Sequence, residues 1–96
     1  MLTGKQKRHL RSLAHHLTPI FQVGKGGVSD NMVQQISHAL EARELIKVSV
    51  LQNAEVEAEN VAVQLGMGTK AEVAQVIGKT IVLYKQSKEN KKIILP

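Results

Sequence analysis

The sequence predicts a small α/β domain of the two-layer α+β kind, with a mixed four-stranded sheet packed by three helices in the order αβαβαββ. Apolar residues repeat at helical spacing near the N-terminus, and residues 20–51 follow the strand, loop, helix and strand pattern of a parallel βαβ unit. Two β-rich runs near the C-terminus are separated by a two-residue turn. With 96 residues, 43% of them hydrophobic, the chain fits one domain over residues 1–96.

The first helix is predicted over residues 3–17, where apolar side chains recur at helical spacing. These side chains are Leu10, Leu13, Ala14 and Leu17. Thr18 precedes Pro19 and is therefore disfavoured in a helix. We expect the helix to end there and a short strand to follow over residues 20–23.

The second helix is predicted to begin after Ser29, a favourable N-cap, and to stop near Glu44. Asp30 suits the positive end of its dipole. The side chains that line one side of this helix are Met32, Ile36, Ala39, Leu40 and Arg43. Residues 45–51 then alternate with period two and predict a strand. The side chains expected on one face of that strand are Ile46, Val48 and Val50.

The third helix is predicted over residues 55–65, with the Gly66-Met67-Gly68 segment as its stop signal. Residues 69–72 have the form of a capping box, but they leave room for at most one further turn before the next strand.

The C-terminal part of the chain predicts a hairpin over residues 73–77 and 80–85. Its loop is Gly78-Lys79, with glycine first, as a type II′ turn prefers. Residues 86–92 are polar and rich in lysine, and residues 93–95 either add a short edge strand or pack back onto the fold.

Positive charge is concentrated at the two ends of the chain. Residues 1–28 carry a net charge of +5, residues 29–78 carry −4 and residues 79–96 carry +4. We expect the two ends to build one basic face, a pattern typical of nucleic-acid-binding proteins. Scattered lysines on a solvated surface are the alternative interpretation.

The glycine-rich segment Gly24-Lys25-Gly26-Gly27 joins the first strand to the second helix. Glycines let the backbone approach another backbone closely, and the N–H groups at a helix start suit an anion. Lys25 adds a mobile positive charge. KH modules clamp RNA with a G-x-x-G loop, so we predict that this segment contacts RNA phosphates. A purely structural glycine turn is the alternative.

Four stretches carry a resemblance to a known family: KQK at residues 5–7 with Leu10 and Leu13, VGKGG at 23–27, ELIKV at 44–48, and VIGKTIVLY at 76–84. In this order they resemble the YhbY-like proteins, the stand-alone bacterial form of the chloroplast RNA splicing and ribosome maturation (CRM) domain. The resemblance covers nearly the whole chain.

The resemblance implies a fold similar to the C-terminal domain of a bacterial translation initiation factor. It also implies RNA binding, with bacterial members associated with maturation of the large ribosomal subunit and plant relatives with group II intron splicing. The family's loop falls on Gly24, Lys25, Gly26 and Gly27. This chain departs from the family pattern at Gly26, where many relatives have a larger polar residue, and at Lys85, where they have arginine.

Basic residues outside the loop are predicted to extend a track of phosphate contacts. Those of the first helix are Lys5, Lys7, Arg8 and Arg11, and those of the hairpin are Lys79 and Lys85. The family resemblance implies that the partner is large-subunit ribosomal RNA or its precursor, bound within a pre-ribosomal particle. The rival interpretations are a protein-interaction adaptor that docks through its acidic middle helices and a DNA-binding module.

Other chemistries find no support in the sequence. The Gly78-Lys79-Thr80 segment lacks the upstream glycine of a P-loop, because Val73 stands in its place. Gly66 and Gly68 imitate a dinucleotide fingerprint but follow a helix rather than a strand.

The four histidines are His9, His15, His16 and His38, and they form no ligand set. The glutamates are explained by solvated helix faces and a loop, so we expect no enzyme, cofactor or metal.

Aromatic content limits the mode of RNA recognition. Phe21 and Tyr84 are the only phenylalanine and tyrosine, and there is no tryptophan, so the stacking platforms of RRM or OB-type readers are not expected. Phe21 lies in an apolar run that we expect to be buried. What remains is recognition of the RNA backbone, with strong salt dependence and modest base specificity.

The composition also indicates the cellular compartment. There is no cysteine, and no apolar stretch approaches the roughly 20 residues needed to cross a bilayer. We expect a soluble cytoplasmic protein with no membrane contact and no small-molecule substrate.

Overall fold

The computed structural model describes residues 2–52 and 56–96. The elements are, in chain order, α1 (Gly4–Ala14), β1 (Phe21–Val23), α2 (Asp30–Arg43), β2 (Leu45–Val50), α3 (Ala58–Thr69), β3 (Glu72–Ile77) and β4 (Thr80–Tyr84). No helix within these described ranges is long and apolar enough to cross a membrane.

The strands form one mixed sheet in the spatial order β1-β2-β4-β3. β1 pairs in parallel with β2, and β4 pairs antiparallel with both β2 and β3. The predicted α+β class, with three helices and a mixed four-stranded sheet, is confirmed. The predicted hairpin is also present, because Ile77 pairs with Thr80 and Gly78 has the positive φ of 57° that a glycine-first turn needs.

The helices are divided between the two faces of the sheet, so the sheet is the middle of three layers rather than one of two. α2 and α3 cover the face that carries Ile46, Val48 and Val50, and these three side chains are buried as the alternation predicts. α1 covers the opposite face, where Leu10 and Ala14 pack on Leu45, Ala74, Val82 and Tyr84.

α1 is shorter than predicted. It begins with a capping box between Thr3 and Gln6 and ends at Ala14, three residues before the expected end at Leu17. The Leu17 N–H donates to the Ala14 carbonyl at 2.9 Å in a tighter turn. Leu13 and Leu17 are 39% and 37% exposed, so their expected place in the helix core was wrong. After this turn the Ile20 N–H donates to the Lys47 carbonyl at 3.0 Å, which joins the chain to β2.

α3 continues through the glycines that were expected to stop it. It ends at Thr69, with Lys70 in the left-handed conformation as its C-cap. Gly66 and Gly68 allow close packing, since a Cβ there would lie 3.3 Å from Val73 and 3.2 Å from Val33. The expected capping box at 69–72 is absent, because the Thr69 hydroxyl donates to the Leu65 carbonyl inside the helix. The predicted start at Glu55 lies outside the described residues.

Residues 86–93 form a C-terminal strap that is anchored on Glu44, the residue that ends α2. Glu44 is fully buried, and its carboxylate accepts hydrogen bonds from the backbone N–H groups of Ser87, Lys92 and Ile93 at 2.8, 2.6 and 2.8 Å. Burial raises the pKa of Glu44, but the three donors together outweigh burial and leave the pKa below its ordinary value. The expectation that Glu44 is solvated was wrong.

Glu41, one turn earlier on α2, holds the same strap. Its carboxylate accepts hydrogen bonds from the N–H groups of Lys88 and Glu89 and from the Ser87 hydroxyl. The Lys88 N–H, the Ser87 hydroxyl and the Glu89 N–H lower the pKa of Glu41 from 4.5 to about 2. Glu41 is therefore a structural acceptor and not a member of a solvated helix face.

After the strap the chain packs back onto the fold, which is one of the two alternatives expected for residues 93–95. Ile93 and Leu95 lie against the cluster under α1, whereas Ile94 is 87% exposed. The segment has no strand structure.

Candidate nucleic-acid interface

The glycine loop, residues 24–27, is a tight turn with an exposed tip. The Gly27 N–H donates to the Gly24 carbonyl at 3.0 Å and closes the turn. Lys25 and Gly26 at the tip are exposed, whereas Gly24 and Gly27 are half-buried. Gly27 has a φ of +70°, which a residue with a side chain rarely adopts. The turn therefore presents a lysine and an open stretch of backbone to the outside.

The base of the glycine loop is fixed to the sheet. The Leu51 N–H donates to the Val23 carbonyl at 2.9 Å, and a Cβ on Gly24 would lie 3.4 Å from the Leu51 side chain. A Cβ on Gly26 would meet no atom within 4 Å. The three glycines thus have different roles: close approach at Gly24, open space at Gly26 and a positive φ at Gly27.

The sheet brings Lys79 to the same end as the glycine loop. Val23, the last residue of β1, pairs with Val50, and the Val50 N–H donates to the Lys79 carbonyl at 2.7 Å. Adjacent strands lie about 5 Å apart, so the Lys79 backbone is about 10 Å from the start of the loop. Phe21, on the same edge strand, packs against the core but is only half-buried, less than its apolar run predicts.

The basic residues of α1 lie on an exposed surface that runs toward this end of the sheet. Lys5, Lys7, Arg8 and Arg11 are all exposed. The start of α1 shares a depression with Tyr84 and Lys85, and its end shares a groove with Thr80. The helix therefore runs from the end of β4 to its beginning, and Arg11 is the α1 cation nearest to the loop end.

Lys85 lies at the other end of the sheet. It follows Tyr84, five residues beyond the Thr80 end of β4, and its Nζ donates to the Thr69 carbonyl at 3.0 Å. This position places a positive charge on the C-terminal carbonyls of α3, where a cation is stabilising. The structure therefore does not bring Lys85 together with the glycine loop.

Lys79 has acidic neighbours that the order of residues does not reveal. Glu57 and Glu59, at the start of α3, line a shallow depression together with Gly78 and Lys79. These carboxylates weaken the positive potential at the hairpin tip. In the described ranges, no group of three or more histidine, cysteine or acidic side chains is placed to hold a metal ion.

Lys47, which was not among the predicted RNA contacts, lies on the α1 side of β2. Its Nζ donates to the Leu17 carbonyl at 3.0 Å, so the ammonium group is held in place over the sheet. The signal was present, because the buried positions of β2 at 46, 48 and 50 put residue 47 on the opposite face.

Comparison with known proteins gives the family. The family model described as the CRS1 / YhbY (CRM) domain matches residues 2–85. The chain belongs to this CRM domain family. The sequence resemblance stated above is thereby confirmed, and the glycine loop, α1 and the hairpin tip all lie within the matched residues.

Relatives within the CRM family carry names that refer to RNA. The chain is 71% identical to the probable RNA-binding protein YqeI of Bacillus subtilis, with complete coverage of both chains. It is 41% identical over 91 residues to an RNA-binding protein of Haemophilus influenzae, covering 94% of this chain and 91% of the relative. SAV1595 of Staphylococcus aureus, described with its solution structure as a candidate RNA-binding protein, is 59% identical with complete coverage and a TM-score of 0.84.

Proposed function

We propose that this CRM-domain protein binds the phosphate backbone of structured RNA through the glycine loop and the exposed basic residues of α1. The observation that carries the proposal is the position of the loop. Its exposed Lys25 projects from a turn fixed to the sheet, at the end of the sheet where α1 carries Arg11. The RNA-related names of relatives that match nearly the whole chain support RNA as the ligand.

Contacts of such an interface position the RNA without reading its base sequence. The tip offers an ammonium group and backbone N–H groups, which pair with phosphate oxygens but do not distinguish bases. The guanidinium groups of Arg8 and Arg11 offer forked donors that match phosphate geometry. Specificity then comes from the shape of the RNA, because only a folded RNA brings several phosphates to a surface of this outline.

We further propose that the RNA is that of the large ribosomal subunit or its precursor, and that the protein acts in ribosome assembly. The support is the family resemblance together with the salt-sensitive contacts proposed here. An assembly factor must bind precursor particles and leave them before translation. A protein held only by contacts with phosphates can dissociate without a chemical step.

Replacement of Arg8 and Arg11 together by glutamine tests the mode of binding. If each side chain neutralises one phosphate, the slope of log K against log salt concentration decreases in magnitude by about 1–2 units, and the preference among RNA sequences is unchanged. The measurement is RNA affinity at a series of salt concentrations. A changed sequence preference with an unchanged slope would mean that these residues read bases, contrary to the proposal.

Sedimentation of cell extracts tests the assembly role. We expect the protein in fractions that contain immature large subunits and not on polysomes, with less association as salt is raised. Gradient fractions at low and moderate salt would be probed for the protein. If the protein is found only on mature ribosomes or polysomes, it acts in translation and not in assembly. If it is absent from all ribosomal particles at low salt, the alternative of a protein-interaction adaptor is favoured.

A further inference from the structure

The face of the sheet on the α1 side carries a groove where α1 ends. The groove has a volume of about 630 Å³, which lies within the range of about 300–1,000 Å³ typical of small-molecule sites. Its lining residues come from the end of α1 and from β2, β3 and β4, and they include Arg11, His15, His16, Lys47, Gln75 and Thr80. The groove exists because α1 stops at Ala14 while the sheet beneath it continues to Ile77 and Thr80.

The charge of the groove favours an anion. Arg11 and Lys47 line it, and none of its ten lining residues is acidic. The Lys47 ammonium is held by the Leu17 carbonyl at 3.0 Å and retains two further N–H groups for a ligand. This contrasts with Lys79 at the hairpin tip, where Glu57 and Glu59 are adjacent.

The groove also offers flat surfaces on which a base can stack. The rings of His15 and His16 are both exposed, and they lie edge to face with centroids 5.7 Å apart and an angle of 83° between their planes. Imidazole rings and the Arg guanidinium plane both stack on nucleobases in RNA complexes. These two rings are histidines, so the low phenylalanine, tyrosine and tryptophan content of the chain does not reveal a stacking site.

The remaining lining completes a site of mixed polarity. Ala14 and Val82 form an apolar floor, and Ile77 is 60% exposed at its rim. Gln75 and Thr80 provide donors and acceptors of the kind that pair with the edge of a base. A cationic rim, flat rings, an apolar floor and a few hydrogen-bonding groups match the parts of a nucleotide.

We propose that this groove binds one unpaired nucleotide of the RNA, with its base stacked on one of the His15 and His16 rings and against the edge of the other, and its phosphate near Arg11 and Lys47. The inference rests on the proposed RNA-binding function and adds to it a subsite that distinguishes unpaired from paired segments. A base within a duplex is stacked on both faces and cannot enter a groove on the sheet, whereas a bulged base can.

The test compares two RNA hairpins that differ only in one unpaired purine, with 2-aminopurine as the unpaired base. Because the unpaired base gains a stacking contact, we expect the wild-type protein to bind the bulged hairpin about tenfold more tightly and to quench its 2-aminopurine fluorescence. His15→Ala with His16→Ala should abolish both the preference and the quenching. The matched control is His9→Ala with His38→Ala, which removes two histidines outside the groove and should leave both intact.

The outcomes separate this inference from the function on which it rests. Equal binding of both hairpins by the wild-type protein, without quenching, would overturn the groove as a nucleotide site while leaving RNA binding in place. A preference retained in the His15 and His16 variant would do the same. Failure of the wild-type protein to bind either hairpin at low salt would overturn the proposed function and the inference together.

Discussion

Replacement of Lys25 and Gly26 together by aspartate is expected to weaken binding to structured RNA at least tenfold, or about 1.4 kcal/mol. The change removes one positive charge and adds two negative charges where we place phosphates. The fold should tolerate it, since both positions are exposed and a Cβ on Gly26 meets no atom within 4 Å. Affinity is measured by fluorescence anisotropy, with the circular-dichroism spectrum as the check on folding.

The control for this variant makes the same charge change elsewhere. Arg43→Asp with Gln35→Asp alters two exposed residues of α2, which covers the face of the sheet opposite α1. This control should lose much less affinity than the loop variant. Equal losses would show that total charge governs binding, and unaltered binding by the folded loop variant would remove the loop from the mechanism.

Replacement of Glu44 by alanine is expected to cost about 2–4 kcal/mol of unfolding free energy, because three backbone N–H groups lose their shared acceptor. This loss of unfolding free energy is smaller than the sum of the penalties for three buried N–H groups without an acceptor. The reason is that the strap can detach, and its N–H groups can then bond to water. For a chain of this size the melting temperature should fall by at least about 10 °C. Glu89→Ala, which removes an exposed carboxylate from the same strap, should change the melting temperature little.

The pH dependence of Glu44→Gln provides a second check. Folding lowers the pKa of Glu44 from its ordinary 4.5, so its ionised form stabilises the fold fully above that value. As pH falls through the lowered pKa of the folded state, this contribution is lost. The difference in stability between the wild-type protein and Glu44→Gln should therefore narrow in acid. A difference that does not vary with pH would mean that the charge of Glu44 is unimportant.

Local patterns predicted the elements whose signals lie within a few residues. Ser29 caps α2 as expected, with its hydroxyl accepting the Met32 N–H, and the period-two run of β2 buries Ile46, Val48 and Val50. The glycine loop lies between β1 and α2 because strand, turn and N-cap signals follow one another there. Each of these features is set by neighbours in the sequence, so the sequence alone was sufficient.

Features that depend on distant residues were missed. Glu44 meets its hydrogen-bond partners 43–49 residues later in the chain, so nothing near it marks a buried carboxylate. Gly66 and Gly68 have the form of a helix stop, but they serve the approach of Val73 and Val33. The same limit applies to the candidate site: local charge patterns selected Lys85 together with Lys25, and only the sheet topology separates them.

The groove at the end of α1 depends on where that helix ends. A helix reaching Leu17 would extend further over the sheet, and its last turn would cover part of the face that the groove occupies. The observed end at Ala14 leaves His15, His16 and Lys47 around an open surface. Element ends are fixed by tertiary contacts such as that of Lys47 with the Leu17 carbonyl, which periodicity does not encode.

The most direct test of the central claim is a map of amide chemical-shift changes during titration of the isotopically labelled protein with a structured ribosomal RNA fragment. We expect the largest changes in the glycine loop and around Arg8 and Arg11, with all of them reduced as salt is raised. The C-terminal strap should be little affected. Changes confined to the outer surfaces of α2 and α3, with the glycine loop unmoved, would contradict the account.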